Sequence, residues 1–173
     1  MEIRSFRERV WRAMRIIGIA LLSSIVMTQC GQPALRSVNW HFVIPDQYEG
    51  FLAIEYACAG GVPLPDDGTT IQIVFDDTGT FCTTDPSFGW EGQYTIETRS
   101  GQSVPTAGGV WRQTGYGFYG SGLMTFGDSP RRQFSIYWAG DRAYLAQIRN
   151  TAVYGQELAA FLRDRFGVVR PNS

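Results

Sequence analysis

The feature that most constrains the fold is a period of two. The stretch FLAIEYAC puts Leu52, Ile54, Tyr56 and Cys58 on one face and Glu55 on the other. TIQIVF aligns Ile71, Ile73 and Phe75, QYTIETR pairs Tyr94 with Ile96, and QFSIYW aligns Phe134, Ile136 and Trp138. Such alternation marks half-buried strands. Between the strands stand turn formers: Pro45-Asp46, Gly60-Gly61-Val62-Pro63, Asp66-Asp67-Gly68, Asp77-Thr78-Gly79, Gly101 and Gly108-Gly109. Short strands punctuated this way predict a mainly β domain, an antiparallel β-sandwich.

The period changes near the C-terminus. Asp141 can cap a helix in which Tyr144, Leu145 and Ile148 recur at helical spacing. In GQELAAFLRDRFG, Leu158, Phe161, Leu162 and Phe166 make one apolar stripe. Arg163 and Arg165 suit the C-terminal dipole, and Gly167 can be a left-handed stop. One or two C-terminal helices are therefore expected, with the stripe packed on a sheet.

The N-terminus follows different rules. Residues 1–15 carry five arginines (Arg4, Arg7, Arg9, Arg12, Arg15) against two glutamates, and the run from Ile16 to Met27 is almost wholly apolar. Twelve residues rise only about 18 Å as a helix, short of the roughly 30 Å of a bilayer's hydrocarbon core, so the run is the apolar core of a signal sequence. Met27-Thr28-Gln29-Cys30 resembles the lipobox of bacterial lipoproteins, whose cysteine becomes lipidated; Gln29 stands where that family carries a small residue. The resemblance implies acylation of Cys30, with an uncleaved amphipathic anchor or ordinary secretion as alternatives. Residues 1–29 are then a lipoprotein-type signal peptide, 30–38 a tether and 39–173 a single domain. The implied address is the bacterial cell envelope, membrane-anchored, and the outer membrane facing the periplasm in a Gram-negative host.

Without residues 1–29, 144 residues remain, enough for one core that buries somewhat more than about three fifths of the unfolded surface. This part holds ten basic and fourteen acidic residues, which argues against nucleic acid as a partner. The chain has no lysine, which removes Schiff-base and lysine-nucleophile chemistry. Besides Cys30 there are two cysteines, Cys58 and Cys82, an even pair suited to an oxidising compartment. They are expected to form a disulfide, with two buried thiols as the alternative. No C-x-x-C occurs and the one histidine, His41, is far from both cysteines in sequence, so no metal site is expected.

The segment Phe42 to Asp85 looks like an uncharacterised family of bacterial envelope domains with the pattern I-P-x-x-Y-x-G, then P-L-P, then a turn glycine leading to threonine. The matching residues are Ile44, Pro45, Tyr48, Gly50, Ile54, Tyr56, Pro63, Leu64, Pro65, Gly79 and Thr83. SIYWAGDRAYL is similar to that family's late strand and short helix. The order of turns also resembles transthyretin-like sandwich domains. Both resemblances imply a fold, and neither carries over a catalytic residue.

Three motifs suggest chemistry, and each has a plainer reading. Gly115, Gly117 and Gly120 fit G-x-G-x-x-G, yet no βαβ unit surrounds them; they suit an irregular aromatic strand, with an exposed stacking face formed by Tyr116, Phe118 and Tyr119 as the alternative. Asp77-Thr78-Gly79-Thr80 resembles the D-T-G-T loop of aspartic proteases. It occurs once, Asp76 replaces an apolar residue, and a hairpin turn accounts for it. A hydrolytic triad would need His41, and no G-x-S-x-G exists. The pairs Asp66-Asp67 and Asp76-Asp77 could meet around a hard cation but read as solvated turns. The expectation is a non-enzymatic binding or assembly module without cofactor or metal, anchored to a membrane, with an envelope protein or glycan as partner. A small envelope hydrolase is the alternative.

Overall fold

The computed structural model describes residues 35–106, 115–126 and 131–167. Cys30 and the signal-like run lie outside the described residues. The chain divides into two units between Ala34 and Leu35, and the second carries all the described strands and helices. The strands are β1 (Arg36–Ser37), β2 (Asn39–Ile44), β3 (Gly50–Tyr56), β4 (Thr70–Val74), β5 (Thr80–Cys82), β6 (Trp90–Glu91), β7 (Tyr94–Thr98), β8 (Tyr116–Phe126) and β9 (Arg132–Asp141). Helices α1 (Arg142–Ile148) and α2 (Ala152–Phe166) follow.

Two sheets carry the fold, ordered β4-β2-β7 and β5-β3-β9-β8, with a small β1-β6 pair beside them. The mainly β character and the C-terminal helices match the expectation from sequence, but the expected antiparallel sandwich needs correction. β2 pairs in parallel with both β4 and β7, and β3 pairs in parallel with β5; among the described strands, β3-β9 and β8-β9 are the antiparallel pairs. Most consecutive strands here do not pair. β2 and β3 lie in different sheets, as do β4 and β5, so each connection is an arch between sheets, and stacked arches run their strands in the same direction.

The Asp76–Gly79 turn is therefore no hairpin. Asp76 organises it by accepting from Thr78 N–H at 2.9 Å and Thr80 N–H at 2.8 Å, while Ala53 N–H reaches across to Gly79 O at 2.9 Å. Tyr48, from the first arch, donates its hydroxyl to Phe51 O at 2.6 Å and lies 3.1 Å from Thr78 O in the second. Gly79 has φ +78°, and a Cβ there would collide with the Tyr48 hydroxyl oxygen. Several of the residues quoted for the resemblance are thus arch and joint residues: Ile44, Pro45, Tyr48 and Gly50 belong to the first arch, and Gly79 to the second.

Alternation along β3 and β9 serves two cores. Leu52, Ile54, Tyr56, Tyr137 and Ala139 point between the sheets, where Phe42 packs against Phe118 and Tyr137 with ring centroids 5.3 and 5.0 Å away. Phe51, Ala53, Phe134, Ile136 and Trp138 face the helices and meet Leu145, Ile148, Leu158 and Leu162. The result is three layers, sheet on sheet on helices, and each buried aliphatic or aromatic side chain contributes on the order of 2 kcal/mol. Glu55, expected on an outer face, is 4% exposed because the helix layer covers that face. Asp141 caps α1 through Ala143 N–H, and Gly167 ends α2 at φ 67°; α2 begins earlier than the stripe suggested, capped by Thr151.

Candidate functional site

The sulfurs of Cys58 and Cys82 are bonded, with the two Cα atoms 5.6 Å apart, as the parity of cysteines led one to expect. Three elements bring them together. β5 lays Cys82 beside Glu55 of β3 in parallel register, so both side chains share one face. Past the end of β3, Ala57 takes φ 50°, a left-handed turn uncommon for a residue with a Cβ, and returns Cys58 towards β5. The segment that follows β3, residues 57–64, is a strap sewn down by backbone. Ala57 N–H donates to Asp85 O at 2.9 Å, Cys58 N–H to Thr83 O at 2.8 Å and Val62 N–H to Cys82 O at 3.1 Å. Leu64 N–H donates to the Asp85 carboxylate at 2.6 Å. Gly61 lies so close that a Cβ would fall 2.7 Å from Cys82 O.

Beneath the strap, Glu55 pairs with Arg132 through Nε and Oε1. Arg132 also donates from Nη1 to Phe166 O at the end of α2, and its guanidinium lies 5.4 and 5.8 Å from the Phe134 and Phe166 ring centres. A charged pair thus joins the strap, the central sheet and the last turn of α2. Among the described residues, Glu55, Cys58 and Cys82 are the one group of three His, Cys, Asp or Glu side chains whose donor atoms lie within 4.8 Å of one another. Sequence spacing hid this group, because the parallel register that supplies Glu55 comes from stacked arches.

The two acidic pairs singled out from sequence stay in separate turns. Asp77 pairs with Arg99 and is 85% exposed in its side chain, and Asp66 pairs with Arg36. Asp67 accepts from Thr69 and Thr70 N–H at 2.8 and 2.7 Å. Burial raises the Asp76 carboxyl, but hydrogen bonds from Thr80 and Thr78 outweigh it and hold its pKa below the ordinary value. Those from Thr69 and Thr70 lower Asp67 as well. His41 lies 3.2 Å from Glu97 on the outer face of the β4-β2-β7 sheet, beside a groove of about 480 Å³ that Asp66 and Asp67 also line.

The alternative of an exposed aromatic face in GYGFYGSG does not hold, since Phe118 is fully buried and Tyr119 is 9% exposed. Near the first arch, burial pushes Tyr48 and Tyr116 up to about 12, and the Tyr116 hydroxyl donates to Tyr48 O at 2.5 Å. An apolar groove of about 420 Å³ opens between β8 and α2, lined by Met124, Phe126, Tyr154 and Leu158 among others.

Fold and site together define a disulfide-strapped, three-layer β/β/α domain. No family model and no curated protein matches the chain. Among solved structures, it is similar to a Bacillus anthracis protein described as a "Putative Lipoprotein", at 18% identity and a TM-score of 0.43, covering 60% of this chain and 70% of that one. A likeness that loose transfers neither fold nor role.

Proposed function

We propose that the chain is a lipid-anchored protein of the bacterial cell envelope, and that its globular part binds or assembles with another envelope component. The observation that carries this reading is the division of labour among three cysteines. Cys58 and Cys82 are bonded to each other, which suits an oxidising compartment, and Cys30 is left alone at the end of a signal-like apolar run. The engagement of the acidic groups supports a binding role over a reaction: Asp66, Asp67, Asp76, Asp77 and Glu55 are each held in a turn or an ion pair.

The reading is tested by growing a bacterial host that expresses the full chain with a labelled fatty acid. Label should enter the protein and partition with membranes, and Cys30→Ala should abolish both. Label that survives the substitution, or a membrane-bound Cys30→Ala protein, overturns the lipid anchor. Crosslinking in intact cells should then join the anchored protein to one envelope component in fixed stoichiometry, and a protein that stays uncrosslinked overturns the binding role.

A further inference from the structure

We propose that Cys58, Cys82 and Glu55 become a three-donor site for a thiophilic divalent cation, zinc in the first instance, once the disulfide is reduced. The bonded sulfurs are poor ligands; two thiolates are good ones. A dithiol can supply the reduction. One of its thiolates attacks a sulfur of the pair, the S–S bond breaks and a mixed disulfide forms. Its second thiol then displaces the protein thiol, so the reductant leaves as a disulfide and the protein gains two electrons and two protons. The cation replaces those two protons as it binds.

The scaffold keeps the donors together without the S–S bond. Cys58 N–H to Thr83 O and Val62 N–H to Cys82 O hold the strap on β5, and the β3-β5 register holds Glu55 beside Cys82. All three donor atoms already lie within 4.8 Å of one another. Charge also balances: two thiolates and one carboxylate meet a divalent cation and the Arg132 guanidinium, leaving the partly buried site neutral. Arg132 engages Oε1 of Glu55, so Oε2 can turn to the metal. Cys58 and Cys82 are half-buried, so water can complete a tetrahedral set.

The test uses the full chain carrying Cys30→Ala, which removes the third thiol, in detergent micelles and reduced with a phosphine. Cobalt(II) stands in for zinc because its thiolate charge-transfer band reports sulfur ligation. The reduced protein should keep its far-ultraviolet circular dichroism and take up one equivalent of cobalt with that band, which zinc then displaces. The oxidised protein should not. Cys82→Ser should abolish the band. Glu55→Gln should weaken binding by at least the roughly 10- to 100-fold that loss of even an outer-shell partner costs. If Glu55→Gln alone does not fold, Glu55→Gln with Arg132→Gln keeps a neutral pair and should show the same loss. The proposal is overturned if the reduced protein unfolds, if no charge-transfer band appears, if the oxidised form binds as tightly, or if the glutamine variant binds like the parent.

Discussion

At the scale of single residues, the second arch depends on Gly79 and Asp76. A side chain at Gly79 meets two costs together, a positive φ that β-branched residues avoid and a collision with the Tyr48 hydroxyl and with Phe51 O, the latter 2.9 Å from an added Cβ. Gly79→Val should therefore cost about 3 kcal/mol or more in denaturant unfolding, while the exposed Asp77→Asn should leave stability within about 0.5 kcal/mol. Equal effects would remove Gly79 from its joint role. Asp76 adds a pH dependence. Its carboxyl is held below the ordinary 3.8, so its contribution is complete above that value and drains away as pH falls through the lowered one. Asp76→Asn keeps an acceptor oxygen but cannot titrate. Its melting temperature should fall less steeply than the parent's below about pH 4, and parallel curves would contradict the assignment. The turn at D-T-G-T was legible in the sequence, but that it is an arch and not a hairpin depended on the sheets that the flanking strands join.

Among the elements, α2 was legible because its period, its apolar stripe and its terminal glycine act locally. What it covers was not. Arg132 ties its last carbonyl to Glu55, and the pair is buried on the Glu55 side. Arg132→Met should cost about 3–5 kcal/mol, because it strands a buried carboxylate, and adding Glu55→Leu should recover much of that loss. Guanidinium melts of the single and double variants measure both, and a double variant no more stable than the single one would deny the coupling. β8 shows the opposite limit. The register shift between Gly120 and Gly122 changes the phase of the strand, so that Tyr119, Met124 and Phe126 all meet the helix-side core although strict alternation would separate Tyr119 from the other two. An unbroken period read from the residues misses such a shift, since the extra residue declares itself only against the partner strand.

For the molecule as a whole, the Cys58–Cys82 bond closes a loop with a sequence separation of 24 residues across the arch between sheets. In the chain-entropy model such a closure is worth roughly 3 kcal/mol. The folded, unreduced Cys30→Ala protein should show no free thiol, and reduction should lower its melting temperature while its strands persist. Two thiols titrating before reduction would contradict the bridge. The sequence by itself determined the strands around Leu52–Tyr56, Ile71–Phe75, Tyr94–Ile96 and Phe134–Trp138, the two C-terminal helices with caps at Asp141 and Gly167, and the even pair of cysteines, because period, capping and parity are properties of neighbours along the chain. The tertiary structure alone decided that β2 pairs in parallel with both its neighbours and β3 with β5, that Glu55 is buried and that it stands beside Cys82. Those are properties of which segment lies against which, settled by the free energy of stacking two arches and covering the outer sheet with a helix, and no local pattern of residues encodes that choice.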